Sequence, residues 1–308
     1  MSYADKLFVE MCKDILTTGV STLGENVRPV WEDNNAPAYT IKKFGVVHRY
    51  DLRKEFPALT LRPVGIKSAI NEIRWIYQKK SNNIKDLKPH IWDSWANEDG
   101  SIGKAYGYQV GKRHVHYTAD LTKDEFTVPM VPSIRVSKSS SKKMEISLDQ
   151  MDAVLFDLKN HPFSRRMIIT LWEPNELWEM NLQPCCWNCT FNVTRENGEL
   201  VLNMILNQRS NDILAANAWN VVQYAALLMM VARHVNMIPG EFVHVIADAH
   251  IYDRHIDTVK ELITREQFPA PKVSIDPSKT NFYDITEDDF IIENYVHGEP
   301  IGKIDVAV

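Results

Sequence analysis

Apolar residues recur at helical spacing at the start of the chain, in MSYADKLFVEMCKDIL, and again in IKSAINEIRWIYQKK (66–80). A third helical run is SLDQMDAVLFDLKNHP (147–162), which opens with Ser147 and Gln150 as a candidate capping box and is closed by Pro162. WNVVQYAALLMMVARHV (219–235) is apolar on nearly every face, the pattern of a central, buried helix. DRHIDTVKELITREQF (253–268) reads as a surface helix. Between these lie strand patterns: RMIITLW (166–172), FVHVIADAHIY (242–252), and two runs in CWNCTFNVTRENGELVLNMILNQRS (186–210) joined by a turn at ENG. Long antiparallel neighbours with packed helices predict an α+β fold. One stretch breaks the rhythm. HVHYTADLTKDEFTVPMVPSIRV (114–136) is irregular or short-stranded, and VSKSSSKKME (136–145) is polar enough for an exposed loop, so about 111–146 reads as an excursion from the main body.

The chain has 308 residues, 44 % of them hydrophobic and 24 % charged, which suits one large domain or two ordinary ones. A net charge of −5 and a pI near 6.1 argue against a general DNA or RNA binder, although a local arginine cluster would still hold one phosphate. No uninterrupted apolar run approaches about 18 residues, so no membrane span is expected. The first residues are too charged for a signal peptide. Four cysteines are not a disulfide framework, and a reducing cytoplasm is the expected location. NCT (188–190) and NVT (192–194) match the glycosylation pattern, but inside a strand-like run they read as chance.

Three of the four cysteines fall within QPCCWNCTF (183–191). Cys186 and Cys189 form a CxxC, which suggests metal or redox chemistry. Yet residues three apart on a regular strand point to opposite faces, there is no second CxxC, and no histidine stands at zinc spacing. Cys185 differs, because it follows Pro184 where a loop enters the strand, and a thiol there can be exposed and aimed by rigid backbone. A thiolate is a strong nucleophile if cations lower its pKa. Such cations are at hand in PFSRR (162–166), with Arg165 and Arg166 side by side, and in NQRSND (207–212), with Arg209 and Ser210 at a strand end. Each alone reads as a solvated salt-bridge residue. Together, guanidinium forks, a hydroxyl and a loop thiol suit a nucleotide monophosphate attacked by sulfur.

These residues resemble the thymidylate synthases, in the family's order and over almost the whole chain. FGVVHRYDLRKEFPALTLRPV (44–64) is similar to the family's N-terminal strands, NEIRWIY (71–77) to its E-L-L-W helix, and HIWDSWANEDGSIGKAYG (90–107) to its I-W-D-x-W-A…Y-G block. The SRR…PC segment keeps the family's Arg-to-Cys distance, and QRSND…N (208–220), DAHIYDRH (248–255) and the tail DVAV also fit. QKKSNN, REQFPAP and FYDITEDDF resemble the Bacillus-type branch. The resemblance implies one thymidylate synthase-like domain over 1–308, a mixed β-sheet packed by helices, and a homodimer joined sheet to sheet.

It also implies roles. The substrate would be dUMP and the carbon donor 5,10-methylenetetrahydrofolate, with no metal. Cys185 would add to C6 of the uracil, and Asn220 would read the pyrimidine, accepting from N3–H and donating to O4. Arg209 and Ser210 would hold the phosphate and lower the pKa of Cys185. Arg165 and Arg166 would reach the other subunit's phosphate, and Arg28 matches a further phosphate arginine. His250 and Tyr252, two apart on a strand, match the residues that hold the 3′-hydroxyl. Glu72, a carboxylate in an apolar helix, matches the acid acting through water. Tyr106 matches the residue that assists proton removal from C5, while Trp92, Trp95 and Asp212 match folate-site positions. The Val308 carboxylate and its apolar neighbours would close over the folate as a lid.

Several positions depart from the family pattern. Cys186 stands where His is frequent, Thr190 for Gln, Ala216 and Ala247 for Gly, and Ala218 and Trp219 for Pro and Phe. Most of these are expected around the pyrimidine and folate pockets, where an added methyl can crowd a ligand. They leave a second outcome open, a deoxypyrimidine nucleotide hydroxymethylase that hydrates the shared intermediate instead of reducing it. A third is a homologue that binds nucleotide or RNA without turnover.

Overall fold

A computed structural model describes residues 1–88, 91–120, 132–133, 135–138 and 143–308. The elements run α1 (Tyr3–Thr18), β1 (Val20–Ser21), β2 (Thr40–Asp51), α2 (Ile66–Tyr77), α3 (Gly107–Val110), β3 (Arg113–Asp120), β4 (Arg135–Lys138), β5 (Lys143–Asp149), α4 (Gln150–Asn160) and β6 (Ile168–Thr170). They continue with β7 (Cys186–Glu196), β8 (Glu199–Gln208), β9 (Asn211–Asp212), α5 (Ala218–Val235), β10 (Ile238–Tyr252), α6 (Ile256–Leu262), β11 (Lys272–Ile275) and β12 (Phe290–Glu293), with short 3-10 turns between.

β10 organises the main sheet. It pairs antiparallel with β2 and parallel with β8, so the sheet is mixed, in the order β1-β2-β10-β8-β7-β6, with β9 joined to β10. The parallel step needs a crossover, which α5 supplies. β7 and β8 form the expected hairpin, and Asn197 and Gly198 carry its turn at φ 50° and 90°, the positive values a two-residue turn of this kind requires. One sheet face buries Phe191, Leu202, Met204, Leu206, Phe242 and Ile246. Against it lies α5, whose Val221, Val222, Ala225, Leu228 and Val231 are buried, with α2 alongside. The other face leaves Val47, Ile168 and Ile205 exposed.

Among the described residues, the continuous helical stretch Ile213–Val235 is the one helix long and apolar enough to cross a membrane. It is the core helix, with 72 % of its apolar window buried. It opens with a π-turn, Ile213–Asn217.

Three patterns resolve differently from the expectation. Ser147 does not cap α4. It lies in β5, and the N-cap is Asp149, whose carboxylate accepts from the Asp152 N–H at 2.9 Å. Gln150 instead clamps β6, donating to the Thr170 carbonyl (2.8 Å) and accepting from its N–H (2.9 Å). Much of the polar stretch 136–145 is not loop. Residues 136–138 belong to β4 and 143–145 to β5, which with β3 form a three-stranded antiparallel sheet in the order β3-β5-β4. A ladder of backbone hydrogen bonds needs no apolar rhythm, so sequence patterning does not reveal it. Residues 139–142, and 121–131 within the expected excursion, lie outside the described residues. The last predicted helix is shorter, a 3-10 turn at Asp253–His255 followed by α6.

Candidate functional site

The cysteine run sits where β7 leaves its loop. The pairing of β7 with β8 shifts register between Cys186 and Asn188, so Trp187 is an extra residue in the strand. This bulge overturns the alternation argument. Cys186 and Cys189 both face the helix layer, where Tyr77 Oη lies 3.6 Å from Cys189 Sγ and the Tyr224 hydroxyl meets Cys186. Burial pushes both thiols up, Cys189 to about 12. All four cysteines are free, and no group of three or more His, Cys, Asp or Glu side chains is placed to hold a metal among the described residues.

Cys185 is only partly covered. Its N–H donates to the Tyr106 hydroxyl at 3.2 Å, and its carbonyl accepts from the Arg209 N–H at 2.9 Å. Arg209 braces the entry loop by donating to the carbonyls of Pro184 (3.0 Å) and Gln183 (2.8 Å). Its guanidinium and that of Arg28 both favour the Cys185 thiolate. Burial outweighs them, so in this isolated chain the thiol is pushed up, contrary to the expected lowering. Tyr106 reaches Cys185 from a strained backbone, φ 46°, at the start of α3. That geometry is fixed by Gly107, where even a Cβ would collide with the Ser81 backbone.

Asn220, in the first turn of α5, has its amide held at both ends. Oδ1 accepts from Gln208 Nε2, and Nδ2 donates to Gln223 Oε1, each at 3.0 Å. Gln208 is in turn held by His244 Nε2 at 2.7 Å. The two glutamines were missed from sequence, although Gln223 sits three residues beyond Asn220 on one helix face, a readable signal.

Glu72 is buried in α2 and takes two indole N–H groups, Trp92 Nε1 at 3.1 Å on one oxygen and Trp219 Nε1 at 2.7 Å on the other. Burial pushes its carboxyl up, against these hydrogen bonds. The Trp92 ring lies 4.9 Å from that of Tyr106 and 5.8 Å from that of Trp95, tying the carboxylate to the cysteine side of the site.

His250 and Tyr252 share a face of β10, their rings 5.0 Å apart, and Asp248 accepts from or pairs with His250 Nδ1 at 2.9 Å. Tyr252 lies within the electrostatic reach of Arg28, Cys185 and Asp212. Asp212 is engaged locally, since its Oδ1 caps the Leu214 and Ala215 N–H groups at 3.0 and 3.1 Å. Ser210 lends its carbonyl to Gln208 Nε2. At the C-terminus, Val308 exchanges two backbone hydrogen bonds with Val30, two residues from Arg28, and the Val306 carbonyl accepts from the Glu32 N–H.

Not every candidate joins this cluster. Arg165 and Arg166 are exposed on the loop before β6, and neither acts on the Cys185 of its own chain. Thr190 lies on the opposite sheet face, hydrogen-bonded to Asn188 Oδ1, rather than at a pocket. Ala216 and Ala247 have no positive φ, so the added methyl causes no backbone strain at either.

The architecture agrees with the family resemblance. The family model for thymidylate synthase matches residues 6–308, and the chain belongs to the thymidylate synthase family. Among its relatives, "Thymidylate synthase 1" of Bacillus spizizenii and that of Bacillus subtilis strain 168 are each 38 % identical over 311 residues, covering 100 % of both chains. The thymidylate synthase of Bacillus phage phi3T is 37 % identical with the same coverage. Among solved structures, the thermostable thymidylate synthase A from Bacillus subtilis matches with a TM-score of 0.82 and 39 % identity, covering 99 % of each chain.

Proposed function

We propose that this protein is a thymidylate synthase, methylating dUMP to dTMP, with Cys185 as the nucleophile and 5,10-methylenetetrahydrofolate as the co-substrate that supplies the one-carbon unit and the hydride. The observation that carries the residue assignment is the convergence of Arg28, Arg209, Tyr106 and Tyr252 around the partly covered Cys185.

The Cys185 thiolate adds to C6 of the uracil. A C–S bond forms, and the C5–C6 π electrons move through C5 toward O4. The Asn220 amide, held by Gln208 and Gln223, stabilises that developing charge by donating to O4 while accepting from N3–H. Arg28, Arg209 and Ser210 hold the phosphate, and His250 and Tyr252 hold the 3′-hydroxyl. Arg165 and Arg166 serve the phosphate of the neighbouring subunit in a C2 dimer joined through the sheet face that exposes Val47, Ile168 and Ile205. Arginines arriving from a partner would pull the Cys185 thiol down from its buried, raised state. Glu72 works through water on the pyrimidine and folate, and Tyr106 assists removal of the C5 proton. The residues around the pocket fit a folate: Trp92 and Trp95 offer aromatic faces, Asp212 lies at its rim, and the tail ending in Val308 closes over it, already hydrogen-bonded to the loop that carries Arg28. A reducing cytoplasm suits four free cysteines.

A trapping experiment tests this reading. With 5-fluoro-dUMP the C5 position cannot lose a proton, so the adduct persists. The protein should gain the mass of nucleotide plus one-carbon folate on the peptide containing Cys185. Cys185→Ala should gain none. Label on another cysteine would overturn the assignment.

A further inference from the structure

We infer that Trp219 is a positioning residue for the reaction, holding Glu72 between its own indole and that of Trp92 so that the carboxylate is fixed in orientation and offered as an acceptor. The inference rests on the proposed thymidylate synthase reading and assigns a role to one of the chain's departures from its family's pattern.

The two indoles approach different oxygens, Trp92 Nε1 meeting Oε1 at 3.1 Å and Trp219 Nε1 meeting Oε2 at 2.7 Å. An indole nitrogen donates and never accepts. Both indoles can therefore be satisfied at full strength only by the carboxylate, so the cradle favours the ionised form against the burial that raises it. The shorter contact comes from Trp219, and hydrogen bonds to charged acceptors are the strong ones. No phenyl ring at 219 could make it.

The rest of the pocket accommodates the larger ring. Gly65, just before α2, leaves room for the Trp219 ring, whose edge would stand 3.3 Å from a Cβ there. On the remaining side, Cys186 takes the position where the family frequently has His, and it is buried beside Tyr224. A thiol pushed up by burial brings no positive charge to Glu72, so the indoles supply the stabilisation that a cation would otherwise give.

The groups facing Glu72 from its surroundings are few. Gln223 on α5 favours the ionised form, although its Nε2 completes no hydrogen bond of its own. Tyr106 and Tyr224 are pushed well up by burial and stay neutral, as does Cys186 on β7. Arg74, on the same helix, is engaged with Glu287. Among the described residues no cation directly opposes the burial that favours the protonated carboxyl, and removing a donor tips the balance further toward protonation.

Trp219→Phe keeps the ring and removes the N–H. Its kcat with dUMP and methylenetetrahydrofolate should fall about tenfold, the worth of one hydrogen bond to a charged group, with the KM for dUMP little changed. The acid limb of its pH–rate profile should move to higher pH, because more of Glu72 is protonated at a given pH. A merely structural role would lower the rate equally at every pH, and an unmoved acid limb would overturn the inference. The wild-type protein provides a second reading that needs no Trp219 variant to fold. In protein labelled with 15N-tryptophan, two indole N–H resonances should titrate together through a common carboxyl transition, and both should lose it in Glu72→Gln. Only one titrating indole would also overturn the inference. Failure of wild-type turnover would instead count against the enzymatic reading, while the titration would still report on the cradle itself.

Discussion

Acid should unfold this protein sooner than its carboxylates alone would require, because two neighbouring histidines are buried neutral. His48 on β2 and His244 on β10 are cross-strand partners, both buried on the core face of the sheet. Burial lowers His48 from 6.5 to about 4 and His244 from 6.5 to about 3. The unfolded chain binds a proton at each below about pH 6.5, while the folded chain does not until near pH 4 or lower. Stability from these groups is therefore fully present above pH 6.5 and declines as the pH falls. At pH 5 each lies about 1.5 units below its unfolded pKa, so the pair costs about 4 kcal/mol, at 1.36 kcal/mol per unit per group. His234, also lowered, adds to this, whereas His255, Asp5 and Glu72, all raised, act in the opposite direction. The pair is isolated by difference. Denaturant unfolding at pH 7.5 and pH 5, at fixed protein concentration because of the proposed dimer, should show wild type losing about 4 kcal/mol more than a His48→Gln/His244→Gln variant. Equal losses in the two proteins would refute the reasoning.

Two predictions concern the site. Asn220→Asp should shift preference from dUMP toward dCMP, since a protonated carboxyl can donate to the cytosine N3 while its other oxygen accepts from N4; competition assays reading both products check this, and unchanged dUMP selectivity would remove Asn220 from its role. If the phosphate site is shared across a dimer, Cys185→Ala and Arg165→Ala/Arg166→Ala proteins should each be nearly inactive alone. Mixing and refolding them should restore activity, because each hybrid has one site free of both defects. No recovery in verified hybrids would contradict the sharing.

Much of this is readable in the sequence, and the exceptions have physical causes. The α5 helix declared itself by being apolar all round, and the β7–β8 hairpin by its Asn197–Gly198 turn, because burial and positive φ leave marks on residue type. The small sheet of β3, β4 and β5 left no such mark in its polar stretch, since backbone pairing is indifferent to side chains. The candidate site was legible as family motifs rather than as geometry. Cys185 could be singled out by Pro184 before it, but the bulge at Trp187 could not be read, and it alone turns Cys186 and Cys189 to one face. Likewise the Trp219 contact with Glu72 spans 147 positions in sequence, and no local pattern anticipates it.

The central claim is tested most directly by incubating the purified protein with dUMP and 5,10-methylenetetrahydrofolate and analysing both products. The account predicts dTMP and dihydrofolate in equal amounts, with none formed by Cys185→Ala. Formation of 5-hydroxymethyl-dUMP with tetrahydrofolate, or binding of dUMP without product, would contradict it.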